Sequence, residues 1–158
     1  MSKDIFDQLA LFKDLSSEQI ALLKPLFMPC DCYGDSTLFE QGDPAEHLYL
    51  VVTGEVVIRH KPEDGPPITV ARVKAGGVVG WSAALGNRRY TSAGVCTRYT
   101  QMLRVRGEDL RELCELHPET GILILERLAE IIAERLRHTH KQVVEILKEG
   151  LGNHLQSQ

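Results

Sequence analysis

Hydrophobic positions change their spacing twice along the chain. Through residues 4–27 the apolar side chains recur every three or four positions, which is typical of amphipathic helices. Ser16 and Gln19 stand three positions apart ahead of a new apolar run, the arrangement of a capping box at the start of a helix. The pattern therefore predicts two N-terminal helices within this stretch.

Between residues 28 and 106 the period falls to two, and turn residues interrupt the chain about every eight to twelve positions. Many short strands with regular turns are typical of an antiparallel barrel or sandwich. Residues 48–52 are apolar throughout, which predicts a strand covered on both faces. The predicted strands are residues 37–39, 47–52, 55–60, 68–73, 78–81, 91–96 and 101–105.

The helical spacing returns over residues 107–151. It predicts a short helix at residues 108–115 and a longer helix with Pro118 in its first turn, ended by Gly150 and Gly152. Apolar residues on the longer helix form a seam of about four heptads. The seam residues are Leu125, Leu128, Ile132, Leu136, Val143 and Leu147, with the polar Thr139 between them.

This apolar seam is longer than one small barrel can cover. Leu125, Leu128 and Ile132 suit either the chain's own barrel or a second copy of the chain. The later seam residues extend past the barrel, which favours a homodimer through residues 118–150. The order of helices, strands and helices predicts a mainly β fold with flanking helices.

Length and charge narrow the classes of function. With 158 residues, 43% of them hydrophobic, the chain has room for one domain with an apolar core, predicted over residues 1–158 with residues 152–158 as a tail. The net charge of −4 disfavours non-specific binding to nucleic acid. The pattern of a signal peptide and a run long enough to span a bilayer are both missing, so a cytoplasmic protein is expected, with reduced cysteines and no membrane partner.

The stretches LFKDLSSEQIALLKPLF and LFEQGDPAEHLYLVVTGEVVI are followed by a glycine-rich turn and a long terminal helix. Together these features resemble the cyclic-nucleotide-binding domain of catabolite-activator-type (CRP/FNR) regulators, kinase regulatory subunits and gated channels. Gly42, Asp43 and Gly54 stand at the family's barrel turns. The resemblance implies a double-stranded β-helix (jelly-roll) barrel at residues 28–106, with two N-terminal helices before it and a C-terminal dimerisation helix after it.

The same resemblance places the ligand pocket at residues 79–93, which correspond to the family's phosphate cassette. A helix start there would offer main-chain N–H groups to an anion, and arginine would add a charge-assisted hydrogen bond to a phosphate. On the long helix the resemblance implies that Arg135 and Thr139 reach the purine base and the partner subunit, although Thr139 is equally explained as a polar residue that sets the register of the seam. The implied ligand-binding residues in the cassette are Gly80, Trp81, Ser82, Ala83, Arg88, Arg89, Thr91 and Ser92.

Two residues depart from the family's pattern for cAMP. Trp81 stands where relatives that bind cAMP carry a glutamate that accepts from the ribose 2′-hydroxyl, and the loss of this acceptor is expected to lower affinity by about one to two decades. Trp81 would either stack on a planar ligand or fill the pocket. Tyr90 stands where these relatives carry an arginine, and a one-residue shift in the loop would return Arg89 to the phosphate.

Other motifs in the chain do not indicate catalysis or metal binding. Cys30 and Cys32 share one face of a strand but would need further ligands to hold a metal. His138 and His140 point to different sides of a helix and cannot chelate together. Residues 80–84 half-resemble a nucleophile elbow around Ser82, which requires a parallel βα sheet that the pattern lacks. We therefore expect no enzyme activity, no metal and no required cofactor.

The sequence favours a ligand-sensing regulatory module. A cyclic nucleotide such as cAMP or cGMP, or a related small anionic ligand, is expected to bind at the cassette and to shift the pose of the long helix, with the signal passing to a separate protein partner. Direct DNA binding is not expected, because too few residues follow Gly150 for a helix-turn-helix. The alternative is a ligand-free dimeric scaffold with Trp81 filling a degenerate pocket.

Overall fold

The computed structural model describes residues 5–86 and 88–156, and its N-terminal part differs from the predicted pair of helices. Two short 3₁₀ helices, Ile5–Gln8 and Ala10–Phe12, replace the first predicted helix. This compact shape is held by aromatic packing, since the rings of Phe6 and Phe12 stack with centroids 3.6 Å apart. The stack also contacts Phe27 edge-on, which anchors the segment to the start of the barrel.

The second predicted helix is confirmed as helix α1 (Ser17–Leu23), followed by a 3₁₀ turn at Lys24–Leu26. Its capping box has the expected geometry. The main-chain N–H of Gln19 donates to Ser16 Oγ at 3.1 Å, and the Ser16 N–H donates to Gln19 Oε1 at 2.9 Å. Each bond satisfies a main-chain donor that the first turn of a helix leaves without a partner.

Within the described residues, eight strands form two four-stranded antiparallel sheets. The strands are β1 (Met28–Cys32), β2 (Ser36–Phe39), β3 (His47–Thr53), β4 (Glu55–His60), β5 (Ile68–Lys74), β6 (Val78–Val79), β7 (Ala93–Cys96) and β8 (Thr100–Arg106). The sheet orders β1-β8-β3-β6 and β2-β7-β4-β5 are those of a jelly roll, so the predicted fold class is confirmed. Strand β6 is shorter than predicted because the chain turns into a helix at Trp81.

Alternate residues of β3 serve two hydrophobic clusters, as the uninterrupted apolar run predicts. Leu48 and Leu50 face the flanking helices, whereas Tyr49 and Val51 face the interior between the sheets. All of residues 48–52 are buried. Because successive side chains of a strand point to opposite faces, one short run joins the helix layer to the barrel interior.

The part of the chain that the structure describes contains three further helices: α2 (Trp81–Leu85), α3 (Gly107–Leu116) and α4 (Pro118–Gln156). Helix α4 begins at Pro118 as predicted, but the prediction that Gly150 and Gly152 end it is wrong, because the helix continues to Gln156. A glycine lowers helix stability by about 1 kcal/mol relative to alanine but does not remove a main-chain hydrogen bond. The residues predicted as a tail are therefore largely helical.

Cys32 and Cys96 form a disulfide, which corrects the expectation that all the cysteines are reduced. The two residues are 64 positions apart in sequence, and the fold brings their Cα atoms to 6.2 Å, within the usual range for a disulfide. Cys32 ends β1 and Cys96 ends β7, so the bond joins the two sheets. Cys30 and Cys114 are free.

Candidate ligand site

A cavity of about 230 Å³ lies between the barrel and helix α4. Its wall combines residues of the barrel interior, the turn from β6 into α2, the segment that leads into β7, and one residue of α4. Five of the residues implied by the family resemblance line it: Gly80, Trp81, Thr91, Ser92 and Arg135. The remaining lining residues are Phe39, Ile58, Val70, Val79 and Tyr90.

Gly80 makes the turn from β6 into α2. Its φ of +78° lies in the left-handed region that favours glycine. A Cβ atom at this position would lie 3.1 Å from the carbonyl oxygen of His47 and 3.2 Å from the ring of Tyr90. A side chain here would therefore press on both the strand β3 backbone and the cavity wall.

Trp81 lines the cavity directly after this turn. Its side chain is partly buried against the hydrophobic cluster between the barrel and the flanking helices. It begins α2, which has five residues. The main-chain N–H of Ala84 donates to Gly80 O at 3.1 Å, so one turn of helix follows the glycine. The side chains of Ser82 and Ala83, two of the predicted site residues, lie outside the described part of the structure.

Tyr90 forms an aromatic wall on the barrel side of the cavity. Its ring is 5% exposed and stacks on Phe39 with ring centroids 4.0 Å apart. The phenol donates to the carbonyl oxygen of His47 at 2.6 Å and accepts from the His47 N–H at 3.3 Å. Burial raises the pKa of the Tyr90 phenol, so the group is neutral at physiological pH. Tyr90 thus offers ring surface and no charge.

The register of the loop keeps Arg89 out of the cavity. Tyr90 and Gly42 are linked by a 2.7 Å main-chain hydrogen bond, and Tyr90 N–H donates to Asp43 O at 2.9 Å. Neighbouring residues of an extended segment point to opposite sides, so an inward Tyr90 directs Arg89 outward, where Nη1 donates to the carbonyl oxygen of Gly42 at 2.8 Å. The shift that would return Arg89 to a bound phosphate is absent.

Arg88 also lies away from the cavity, in a separate polar cleft between the turn before β3, the end of α2 and the start of α3. Arg106 and Arg111 line the same cleft. Arg111 donates to the carbonyl oxygen of Ala84 at 3.3 Å, which caps the end of α2. Neither cassette arginine therefore meets the five predicted residues that line the cavity.

Arg135, on α4, places a positively charged side chain at the cavity. Its Nη1 donates to the carbonyl oxygen of Val78 at 3.4 Å, so the side chain bridges α4 and β6. Burial lowers the pKa of Arg135, because the charged form loses hydration. The side chain of Thr139, the other predicted residue of this helix, lies outside the described part of the structure.

The apolar part of the cavity lining could not be predicted from the sequence. Phe39, Ile58, Val70 and Val79 belong to strands, and alternation along each strand indicates which residues face inward, but not which of them border an open space. In the sequence, Tyr90 stands out only as a departure from the family's pattern. Its position after two arginines gave no signal that it would be clamped to His47.

Metal binding and membrane crossing find no structural support in the described residues. Within residues 5–86 and 88–156, no set of three or more histidine, cysteine, aspartate or glutamate side chains is arranged to hold a metal ion. Over the same ranges, no helix has the length and apolar character needed to pass through a bilayer.

The chain matches a known protein family over more than half of its length. The profile described as "Cyclic nucleotide-binding domain" matches residues 32–117. Among curated proteins, the chain is 23% identical over 144 residues to a CRP-like cAMP-activated global transcriptional regulator of Mycobacterium tuberculosis, covering 91% of this chain and 62% of the relative. It is 27% identical over 150 residues to the global nitrogen regulator of Synechocystis, covering 94% and 63%. The chain thus spans about three fifths of the length of these relatives.

Solved structures show the same architecture. A cyclic nucleotide-binding domain from Methylobacillus flagellatus superposes with a TM-score of 0.76 at 25% identity, over 89% of this chain and 79% of that one. The catabolite activator protein of Thermus thermophilus superposes with a TM-score of 0.66 at 27% identity, over 88% of this chain and 63% of that one.

Proposed function

Because the chain belongs to the cyclic nucleotide-binding domain family, we propose that it is a regulatory module that senses a small ligand in the cavity between the barrel and α4. One observation carries this proposal: Gly80 and Trp81 of the barrel segment and Arg135 of α4 line the same cavity. A ligand that touches both parts would bind one pose of α4 more tightly than another and would shift their populations. The module acts by binding and not by catalysis.

The proposed ligand is a cyclic nucleotide such as cAMP or cGMP, or a related small anion. A relative named as a cAMP-activated regulator matches over most of this chain, which makes cAMP the first ligand to test. The guanidinium of Arg135 can form charge-assisted hydrogen bonds with an anionic group. Thr91 and Ser92 add hydroxyl groups to the same wall.

We further propose that α4 pairs with α4 of a second copy and passes the signal to a separate protein partner. The second half of this helix exposes a row of large apolar residues: Leu136, Val143, Ile146, Leu147 and Leu151. Such a row is typical of a surface that is covered by another protein. A homodimer would cover it symmetrically.

Titration of the protein with ligands tests the sensing function. Trp81 is the only tryptophan of the chain and lines the cavity, so its fluorescence reports occupancy directly. Calorimetry and Trp81 fluorescence would be followed with cAMP, cGMP, a cyclic dinucleotide and a small aromatic acid. We expect saturable binding of at least one of them, weakened about tenfold or more in Arg135→Gln because a charge-assisted hydrogen bond is lost.

Arg89→Ala is the matched control. It removes an arginine of the cassette loop whose guanidinium donates to Gly42 O outside the cavity, so ligand affinity should not change. If none of the four ligands gives heat or a fluorescence change, the sensing function is wrong, and the ligand-free dimeric scaffold takes its place.

A further inference from the structure

The chemistry of the cavity wall distinguishes among the ligands that a sensor of this fold could bind. Resting on the proposed sensing function, we propose that the cavity takes a small aromatic carboxylate, with the ring inside the barrel and the carboxylate at Arg135. Such a ligand points its charge toward α4 and its apolar end toward the barrel. A cyclic nucleotide bound with its phosphate at the cassette would have the opposite polarity.

The barrel side of the cavity offers ring and aliphatic surface. Phe39, Val79 and Tyr90 belong to the cluster that fills the barrel interior, and Ile58 packs against it. The phenol of Tyr90 is committed to both main-chain groups of His47, so it turns its ring toward the cavity. A planar apolar group satisfies this wall, since aromatic rings pack favourably edge-on or offset against one another.

The cassette loop supplies no guanidinium to this cavity. Arg89 donates to Gly42 outside it, and Arg88 lines a different cleft. Among the described residues that line the cavity, Arg135 is the one charged side chain. A phosphate placed at the loop would therefore gain no ionic partner from the two loop arginines.

The α4 side is suited to a carboxylate. The guanidinium of Arg135 is planar, and its N–H groups are spaced to bind both oxygens of a carboxylate together. It reaches the cavity from α4 while donating to Val78 O, so it lies at the junction of helix and barrel. A carboxylate bound here would connect occupancy of the barrel directly to α4.

The size of the cavity favours a ligand of one or two fused rings. Its volume of about 230 Å³ lies below the roughly 300–1,000 Å³ typical of pockets for drug-sized ligands. A cyclic dinucleotide, with two bases and two phosphates, is too large for it.

Calorimetry with a matched pair of probes tests this inference. The probes are 2-naphthoate and 2-naphthamide, which share a ring system and differ in charge, with cAMP as the comparison. We expect wild-type protein to bind 2-naphthoate at least about tenfold more tightly than 2-naphthamide, because one charge-assisted interaction is worth about that factor. Affinity for 2-naphthoate should also exceed that for cAMP.

Substitutions of Arg135 test whether its guanidinium binds the carboxylate of the ligand. Arg135→Gln should remove the preference for the carboxylate by weakening 2-naphthoate binding much more than 2-naphthamide binding, and Arg135→Lys should restore part of the preference. The amide serves as an internal check that the variant cavity is intact. Arg89→Ala should leave both affinities at the wild-type value.

The results separate this inference from the sensing function. Tighter binding of cAMP than of 2-naphthoate, or equal affinity for the acid and its amide, overturns the aromatic-carboxylate assignment while the sensor stands. Failure of the two naphthyl probes and all the cyclic nucleotides to bind overturns both.

Discussion

The two halves of helix α4 have the same apolar spacing and opposite surroundings. In the first half, residues 118–131, Ile124 is 0% exposed and Leu128 is 2% exposed beneath the barrel and the N-terminal turns. In the second half, residues 132–151, Leu136 is 56% exposed and Leu147 is 59% exposed. Periodicity thus indicates that a helix face will be covered but not by what, since its own barrel and a second copy require the same pattern.

The largest expected effect comes from shortening a leucine of the first half. Leu128→Ala should lower the free energy of unfolding by about 2–5 kcal/mol, because it leaves a cavity in the closely packed helix layer. Urea unfolding followed by circular dichroism measures the loss. The loss should not depend on protein concentration, because the contacts of Leu128 lie within one chain.

Leu147→Ala is the matched change in the second half. In a dilute sample it should alter the unfolding free energy by no more than about 0.5 kcal/mol, as for other exposed positions. An equal loss for the two leucines at every protein concentration would contradict the contrast between the halves.

A charge introduced into the exposed half of α4 tests whether a second copy of the chain covers it. Leu147→Glu should weaken the proposed dimer by about 10–100-fold per side chain, since burial of a leucine contributes about 1.5–3 kcal/mol. Light scattering or sedimentation over a range of concentrations measures the change in mass. The monomer should keep its fold, because Leu147 is exposed in the single chain.

Glu145→Gln provides the control for charge on the same stretch of helix, because residue 145 is exposed and lies outside the apolar row. It should leave the dimer intact. A wild-type chain that is monomeric at every concentration would refute the pairing of α4.

The order of elements could be predicted from the sequence because it depends on local physics. Alternation along the strands, the capping box at Ser16 and the proline at the start of α4 each act within a few residues. The disulfide between Cys32 and Cys96 could not be predicted, because it depends on how two sheets meet. The 3₁₀ turns before α1 likewise depend on aromatic packing among Phe6, Phe12 and Phe27, which lie on both sides of α1 in the sequence.

The candidate site was predictable in its location but not in its chemistry. Gly80, Trp81 and Arg135 line the cavity, and the resemblance to a known family placed all of them there. The register of the loop determines which of Arg89 and Tyr90 points into the cavity. Main-chain hydrogen bonds of Tyr90 with Gly42 and Asp43 set this register. A one-residue difference in register exchanges inward and outward side chains, and sequence spacing alone does not fix it.

The last prediction compares one glycine in each half of α4. Gly121 packs so closely on α3 that an added Cβ would lie 2.6 Å from the Cα of Cys114, whereas a Cβ at Gly150 would meet nothing within 4 Å. Gly121→Ala should therefore destabilise the fold by about 1–3 kcal/mol, because the two helices must separate. Gly150→Ala should stabilise the helix by up to about 1 kcal/mol, because alanine is the better helix former. Urea unfolding and the helical signal in circular dichroism measure the two effects. Opposite signs are expected because α3 covers α4 at the first glycine and open space surrounds the second, so alanine changes of the same sign would show that the halves do not differ in packing.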